Sequence, residues 1–225
     1  RHTGVHRQHE TALLERVDLA VRTAGAFRKN HHRRSVSNDF GGPMQTSDGG
    51  MQVASIDADN TTSGTIRITE SDTVTIDKAY NIDRDITIIS SGGNILIGEG
   101  AVPTISAGTA QVTITANSGT INDSETVVNT DINADTVDLN GGTGIGNNNV
   151  IELGSVTTLT ADSSTGHINL AHSADTGMTV SSMTTGDPGT IELNQSGNQL
   201  LSLQTVTASN GDITIGNTGG TGADI

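Results

Sequence analysis

The residues of this chain best placed for metal chemistry form short Gly/Asp phrases. Gly219-Gly220-Thr221-Gly222-Ala223-Asp224 matches the opening of the calcium nonapeptide G-G-x-G-x-D, whose glycines bend a turn and whose aspartate supplies a hard oxygen. Calcium in that arrangement is shared between successive stacked copies, and this chain carries one copy. A turn opening the next coil is therefore expected, with calcium near Asp224 as the alternative. Gly141-Gly142-Thr143-Gly144-Ile145-Gly146 keeps the glycines but has Gly146 where the aspartate belongs. Asp131-Ile132-Asn133-Ala134-Asp135 begins like an EF-hand loop. Thr136 replaces its sixth-position glycine and Gly142 its twelfth-position glutamate, so a turn is expected here too. Asp57-Ala58-Asp59 fails in the same way. Gly142-Thr143-Gly144 lacks the following helix whose dipole would hold a phosphate.

Catalytic arrangements are equally sparse. Polysaccharide lyases and hydrolases need two or three carboxylates converging in a groove, or a basic residue beside a carboxylate-bound calcium. Beyond Arg34 the only basic residues are Arg67, Lys78 and Arg84. Asp72, Asp77, Asp83 and Asp85 gather near an insertion, Asn81-Ile82-Asp83-Arg84-Asp85, the one place where a groove is conceivable. A solvated acidic turn is the expectation there. His167 and His172 fall on repeat strands or turns with no nucleophile elbow nearby. His2, His6, His9, His31 and His32 fit no closed ligand set and read as a solvated basic tail. No catalytic, cofactor-binding or metal-ligating residue is assigned, and no cofactor is expected.

The elements that would position such residues are unusual in composition. The 225 residues are 32% hydrophobic and 1% aromatic, without Cys or Trp. An ordinary core of this size holds several large aromatics; here Ile, Val, Leu and Ala suit a thin, layered interior. Disulfides and thiolate metal sites are excluded. Residues 1–40 hold eight of the eleven Lys and Arg, leaving residues 41–225 with three basic and twenty-one acidic residues, a net of −18. Such a surface repels phosphates and anionic lipid heads, so neither nucleic acid nor membrane insertion is expected. No apolar stretch approaches the roughly 18 residues of a spanning helix, and no signal peptide is recognisable in the first 30 residues.

Three regions follow. Residues 1–34 are a basic segment, helical around 10–29 (Leu13, Leu14, Val17, Val21, Ala24 and Phe27 at helical spacing) or disordered. Residues 35–55, rich in Ser, Gly and Asp, read as a flexible linker. Residues 56–225 repeat one phrase. Gly64, Gly93, Gly119, Gly142, Gly166, Gly189 and Gly211 each lead into a short Ile-containing run, most of them Ile-x-Ile/Leu, at steps of 22 to 29 residues, and the copy at Gly142 is shifted by one place. Runs such as Ile86-Thr87-Ile88 and Ile191-Glu192-Leu193 alternate with period two between polar turns, which is the strand signature. Each run has an apolar face too small to bury alone. Stacking successive units about 4.8 Å apart buries it as continuous ladders. The fold class expected is all-β, a right-handed parallel β-helix of about seven coils. Outward pairs such as Thr113/Thr115, Thr158/Thr160 and Thr205/Thr207 would suit an ice-binding array, but Asp138 and Ser182 interrupt it.

The phrase T-A-x-x-G-x-I-x-[IL], as in Thr207-Ala208-Ser209-Asn210-Gly211-Asp212-Ile213-Thr214-Ile215, resembles the repeat region of filamentous-haemagglutinin-like adhesins and other large secreted bacterial surface proteins. The resemblance covers about residues 56–225. It implies a structural or adhesive segment at the bacterial cell surface or outside the cell. The chain would act as a stiff stalk or display surface, and its partners would be a host or matrix surface, carbohydrate or protein, and the continuation of its own repeats. Opening on Arg1 and closing at Ile225 within a repeat phrase, it reads as a piece of something longer. The alternatives are a fragment of a polysaccharide-active β-helix enzyme, with Asp77, Asp83 and Asp85 converging, and a calcium-stabilised repeat module.

Overall fold

The computed structural model describes residues 33–38, 44–47, 55–98, 101–197 and 199–218. The amphipathic stretch 10–29 and the phrase ending at Asp224 lie outside them. The described residues contain eighteen strands and no helix. They run β1 (Arg33–Asn38), β2 (Met44–Ser47), β3 (Ser55–Asn60), β4 (Ile66–Glu70), β5 (Val74–Asn81) and β6 (Ile86–Ser90). Next come β7 (Ile95–Ile97), β8 (Ile105–Ala116), β9 (Ile121–Asp123), β10 (Ile132–Gly141), β11 (Ile151–Leu153) and β12 (Thr158–Ser163). The last six are β13 (Ile168–His172), β14 (Met178–Thr185), β15 (Ile191–Ser196), β16 (Leu201–Leu203), β17 (Val206–Ala208) and β18 (Ile213–Thr218).

Every strand pairing is parallel and joins a strand to its counterpart one coil away, which makes a parallel β-solenoid of about seven turns. Several columns of inward side chains make up the core, and two of them show the register. One runs through Ile66, Ile86, Val112, Val137 and Leu159. The other runs through Val74, Ile95, Ile121, Ile145, Ile168, Ile191 and Ile213. All of these except Ile213 are buried. Period-two alternation is what allows this, because inward residues stack on inward residues only when the register holds from coil to coil. Ile145 joins its column through isolated bridges rather than a full strand, as the one-place shift of that copy implies.

Two details differ from the repeat phasing read along the sequence. Gly64 precedes Ile66, which stacks on Ile86, so it belongs to a different face from Gly93 and its successors; Val74 fills the place expected of Ile66. The phrase is shared because both faces need a turn before an alternating run. Also, β1 and β2 fall within or beside the Ser/Gly/Asp-rich stretch 35–55, paired in register with β3 and β4. Short polar-alternating runs such as Met44-Gln45-Thr46-Ser47 extend the ladder there.

The turns are held by side chains that work across coils. Asn60 and Asn81, paired and fully buried, both donate through Nδ2 to the carbonyl of Gly64 (each 3.1 Å). Ser90 Oγ lies within hydrogen-bonding reach of the carbonyls of Asp72 (2.7 Å) and Gly93 (3.0 Å), its one proton serving either. At Gly189 and Gly211 the reason for glycine is close approach. A Cβ on Gly189 would collide with the carbonyl oxygen of Gly166, and one on Gly211 with that of Gly189. Glycine therefore recurs because the coils touch backbone to backbone at this corner.

Candidate carboxylate site

The repeat is broken where β9 leads into β10. Asp123 ends β9 at the register position that Ile97 fills in the preceding coil. Its side chain therefore starts from a core-facing place, and the residue is buried. The chain then leaves in a longer loop, Ser124 to Thr130, before Asp131 re-enters just ahead of β10. Asp131 is tied on both sides: Ile105 N–H donates to its carbonyl (2.8 Å) and its own N–H donates to the Glu152 carbonyl (2.9 Å). Glu152 N–H donates in turn to Asp131 Oδ2 (2.9 Å). The carboxylates of Asp123, Asp131 and Glu152 thus meet, with one oxygen of each within 4.8 Å of the others.

A cavity of about 240 Å3 opens beside them. Asp123, Glu125 and Glu152 form its acidic side, Val127, Val128 and Val150 its apolar side, and Asn148, Asn149 and Asn169 add amides. Asp123 Oδ1 accepts from Glu125 N–H (3.0 Å), which folds Glu125 back over the site. Glu152 is half-buried as a residue, yet its Oε2 is fully covered and meets no donor; the Asn169 Oδ1 is likewise covered and unpartnered.

Burial without a counter-ion decides the charge state. The Asp131 pKa is pushed up to about 9, chiefly by loss of water, with further upward pressure from the Glu152 side chain and the charges of Asp123 and Glu152. Only the Glu152 N–H pulls it down. The Glu152 carboxyl is raised as well, first by burial, while its hydrogen bond with Asp131 opposes this. Near neutral pH the pair therefore holds a proton on Asp131, shared toward Glu152. Two things can balance such a site: that proton, or a hard cation that displaces it. All the ligand atoms on offer are oxygens, which suits calcium or magnesium rather than softer metals.

The residues weighed from sequence are placed differently. Asp83 takes a left-handed φ of 50° and its Oδ1 accepts from Thr109 N–H (3.0 Å). Asp85 Oδ1 accepts from Gln111 N–H (3.2 Å). Both fasten the irregular start of β8 in the next coil, and among the described residues neither they nor Asp77 join a three-carboxylate group. The Asp131–Gly142 segment is a strand over Ile132–Gly141 rather than a turn. Along the sequence Asp131 falls in the failed EF-hand pattern, and nothing there ties it to Asp123 or Glu152. The signal that marks this site is an acid at the place of Ile97, visible only once the coil register is known.

No family model matches the chain, and no curated protein or solved structure matches it.

Proposed function

We propose that this chain is a structural or adhesive segment of a larger bacterial extracellular or cell-surface protein, serving as a stiff acidic stalk or display surface as in filamentous-haemagglutinin-like repeats. The observation that carries the reading is the set of aliphatic columns that run from coil to coil. Each coil buries its face only against its neighbours, so the array resists bending and lengthens by adding turns. The loops between strands are mostly short and fastened to the coil below, leaving little material to wall a substrate cleft. Asp83 and Asp85 each hold a backbone N–H of the next coil and do not converge with Asp77, so the polysaccharide-active reading has less support.

The test is a tandem duplication of residues 56–218. Small-angle scattering should show the maximum dimension growing by about 34 Å for seven added turns at 4.8 Å each. The purified protein should hold to matrix-coated surfaces and release no sugar ends from polysaccharides. A compact particle, or the appearance of unsaturated or reducing ends, would overturn the reading.

A second reading, a calcium-stabilised module, is favoured by the Asp123, Asp131 and Glu152 carboxylates together with the covered, unpartnered Oδ1 of Asn169 at the same cavity. It expects a calcium-dependent rise in Tm that EDTA reverses and that Asp123→Asn abolishes. A Tm indifferent to calcium would sink it.

A further inference from the structure

One inward column of the solenoid departs from the aliphatic rule. Leu153, His172 and Gln195 occupy successive coils in register, on β11, β13 and β15. His172 and Gln195 are both fully buried. Gln195 is partly satisfied, since its Nε2 donates to the Gln199 carbonyl (3.0 Å), but its Oε1 has no donor. His172 is left barer: neither Nδ1 nor Nε2 has a hydrogen-bond partner. The Gln195 side chain and the backbone at Gly154 and Val156 approach the ring and favour its cation, but none meets hydrogen-bonding distance and angle, and burial outweighs them. In neutral form a ring so placed costs little more than any unpaired polar group, whereas its cation would be a buried charge without a counter-ion.

Carboxylates stand on several elements around His172. Glu152 of β11 stands opposite Ala171, whose side chain takes the outward parity. Glu192 of β15 is exposed and stands opposite Asn169. Asp162 of β12 is exposed, and Asp175 lies in the loop after β13. The described residues of β14 carry no charge. No carboxylate is among the groups that act on the ring.

We propose that the His172–Gln195 column is an acid-triggered release point, at which protonation of His172 parts the coils of β13 and β15 while the aliphatic columns on either side of it still hold. The consequence would be a stalk that stays closed at neutral pH and opens one segment in an acidic compartment or at an acidified surface.

Burial depresses the His172 pKa in the folded chain. The unfolded or opened segment takes up the proton at about 6.5, so the closed form keeps its full stability above that pH and loses it as the pH falls from there toward the depressed value. In that window His172 takes up one proton on opening, so a parting of β13 and β15 that leaves the Asp131–Glu152 contact closed increases about tenfold per pH unit.

The experiment is hydrogen exchange on the full chain in EDTA between about pH 7.5 and pH 5, read as protection factors for residues 168–172 and 191–196, which lie beyond the Asp131–Glu152 contact. Wild type should lose protection in these strands by about tenfold per unit below about pH 6.5, with 86–90 and 112–116 unaffected. His172→Leu should abolish the loss, and His172→Gln, which keeps a polar neutral group, should do the same if the leucine variant fails to fold. Equal acid sensitivity in wild type and either variant would overturn the proposal. So would a His172 ring that, followed by NMR in wild type, titrates near 6.5 without any loss of protection.

Discussion

At the scale of single residues, the molecule stores two titratable faults of opposite sign. Asp131 keeps its proton up to about pH 9 in the folded chain, whereas the unfolded carboxyl loses it near 3.8. Between those values the folded state holds more protons than the unfolded one, so this residue's contribution is full below about pH 4 and drains away as the pH rises toward 9. Burial of His172 acts the other way, removing stability as the pH falls below about 6.5. Asp131→Asn tests the first. The amide oxygen can still accept from Glu152 N–H, and the amide N–H can donate to the Glu152 carboxylate, which already shares a hydrogen bond with the Asp131 side chain. The expected result, by urea unfolding in EDTA, is a variant more stable than wild type by at least about 1 kcal/mol at pH 8, with the gain vanishing toward pH 4. A variant less stable across the whole range would mean that Asp131 is ionised and structurally required. Neither fault stands out along the sequence. An aspartate before a strand and a histidine at its end are ordinary residues until the register shows that Asp123 sits in the place of Ile97 and His172 in that of Leu153.

At the scale of strands and turns, most of the architecture was legible, because alternation and a recurring glycine are local signals. The runs around Ile86, Ile121, Ile168 and Ile191 become strands with their Ile side chains inward, as the pattern expects. The phase of the first copy was not legible, since Gly64 and Gly93 look alike while preceding different faces of the solenoid. Nor was the buried Asn60–Asn81 pair, whose role depends on which turn lies beneath it. The Thr face illustrates both sides. Thr113, Asp138, Thr160 and Ser182 do form one outward column, and Asp138 interrupts it as the sequence implies. The corner glycines give this level its prediction. Gly189→Ala must push the coil of Gly166 away or strain its own turn, at a cost of about 1–3 kcal/mol. Ser209→Ala, at an exposed turn position of the next coil, should cost under about 0.5 kcal/mol. Thermal unfolding of the two variants compares them directly, and equal Tm values would mean that the corner has slack.

At the scale of the whole molecule, the fold places its charge badly for its own stability and well for solubility. Residues 41–225 carry twenty-one acids against three bases, and the described ion pair, Lys78 with Asp59, joins neighbouring coils near the first turns. In the later coils the register sets outward acids opposite Thr or Asn, as Asp138 opposite Thr113 and Thr160 and Glu192 opposite Asn169 and Thr214, and no Lys or Arg after Arg84 offsets them, so the charges that interact there within the roughly 10 Å screening length at 0.1 M salt are of one sign. Repulsion between outward carboxylates opposes the stacking that the aliphatic columns favour. It also keeps separate rods from associating through their sides. This geometry predicts a stability that rises with ionic strength. With EDTA present to exclude divalent ions, raising NaCl from about 0.01 M to about 0.15 M should lift the Tm by about 2–4 °C, equivalent to about 1 kcal/mol in a chain of this size. The same change made with calcium should give a larger shift only if the carboxylates of Asp123, Asp131 and Glu152 take up the ion, which separates general screening from site binding. A Tm that falls with NaCl would mean that exposed ion pairs, rather than repulsion, dominate the surface, contrary to a body with only three basic residues.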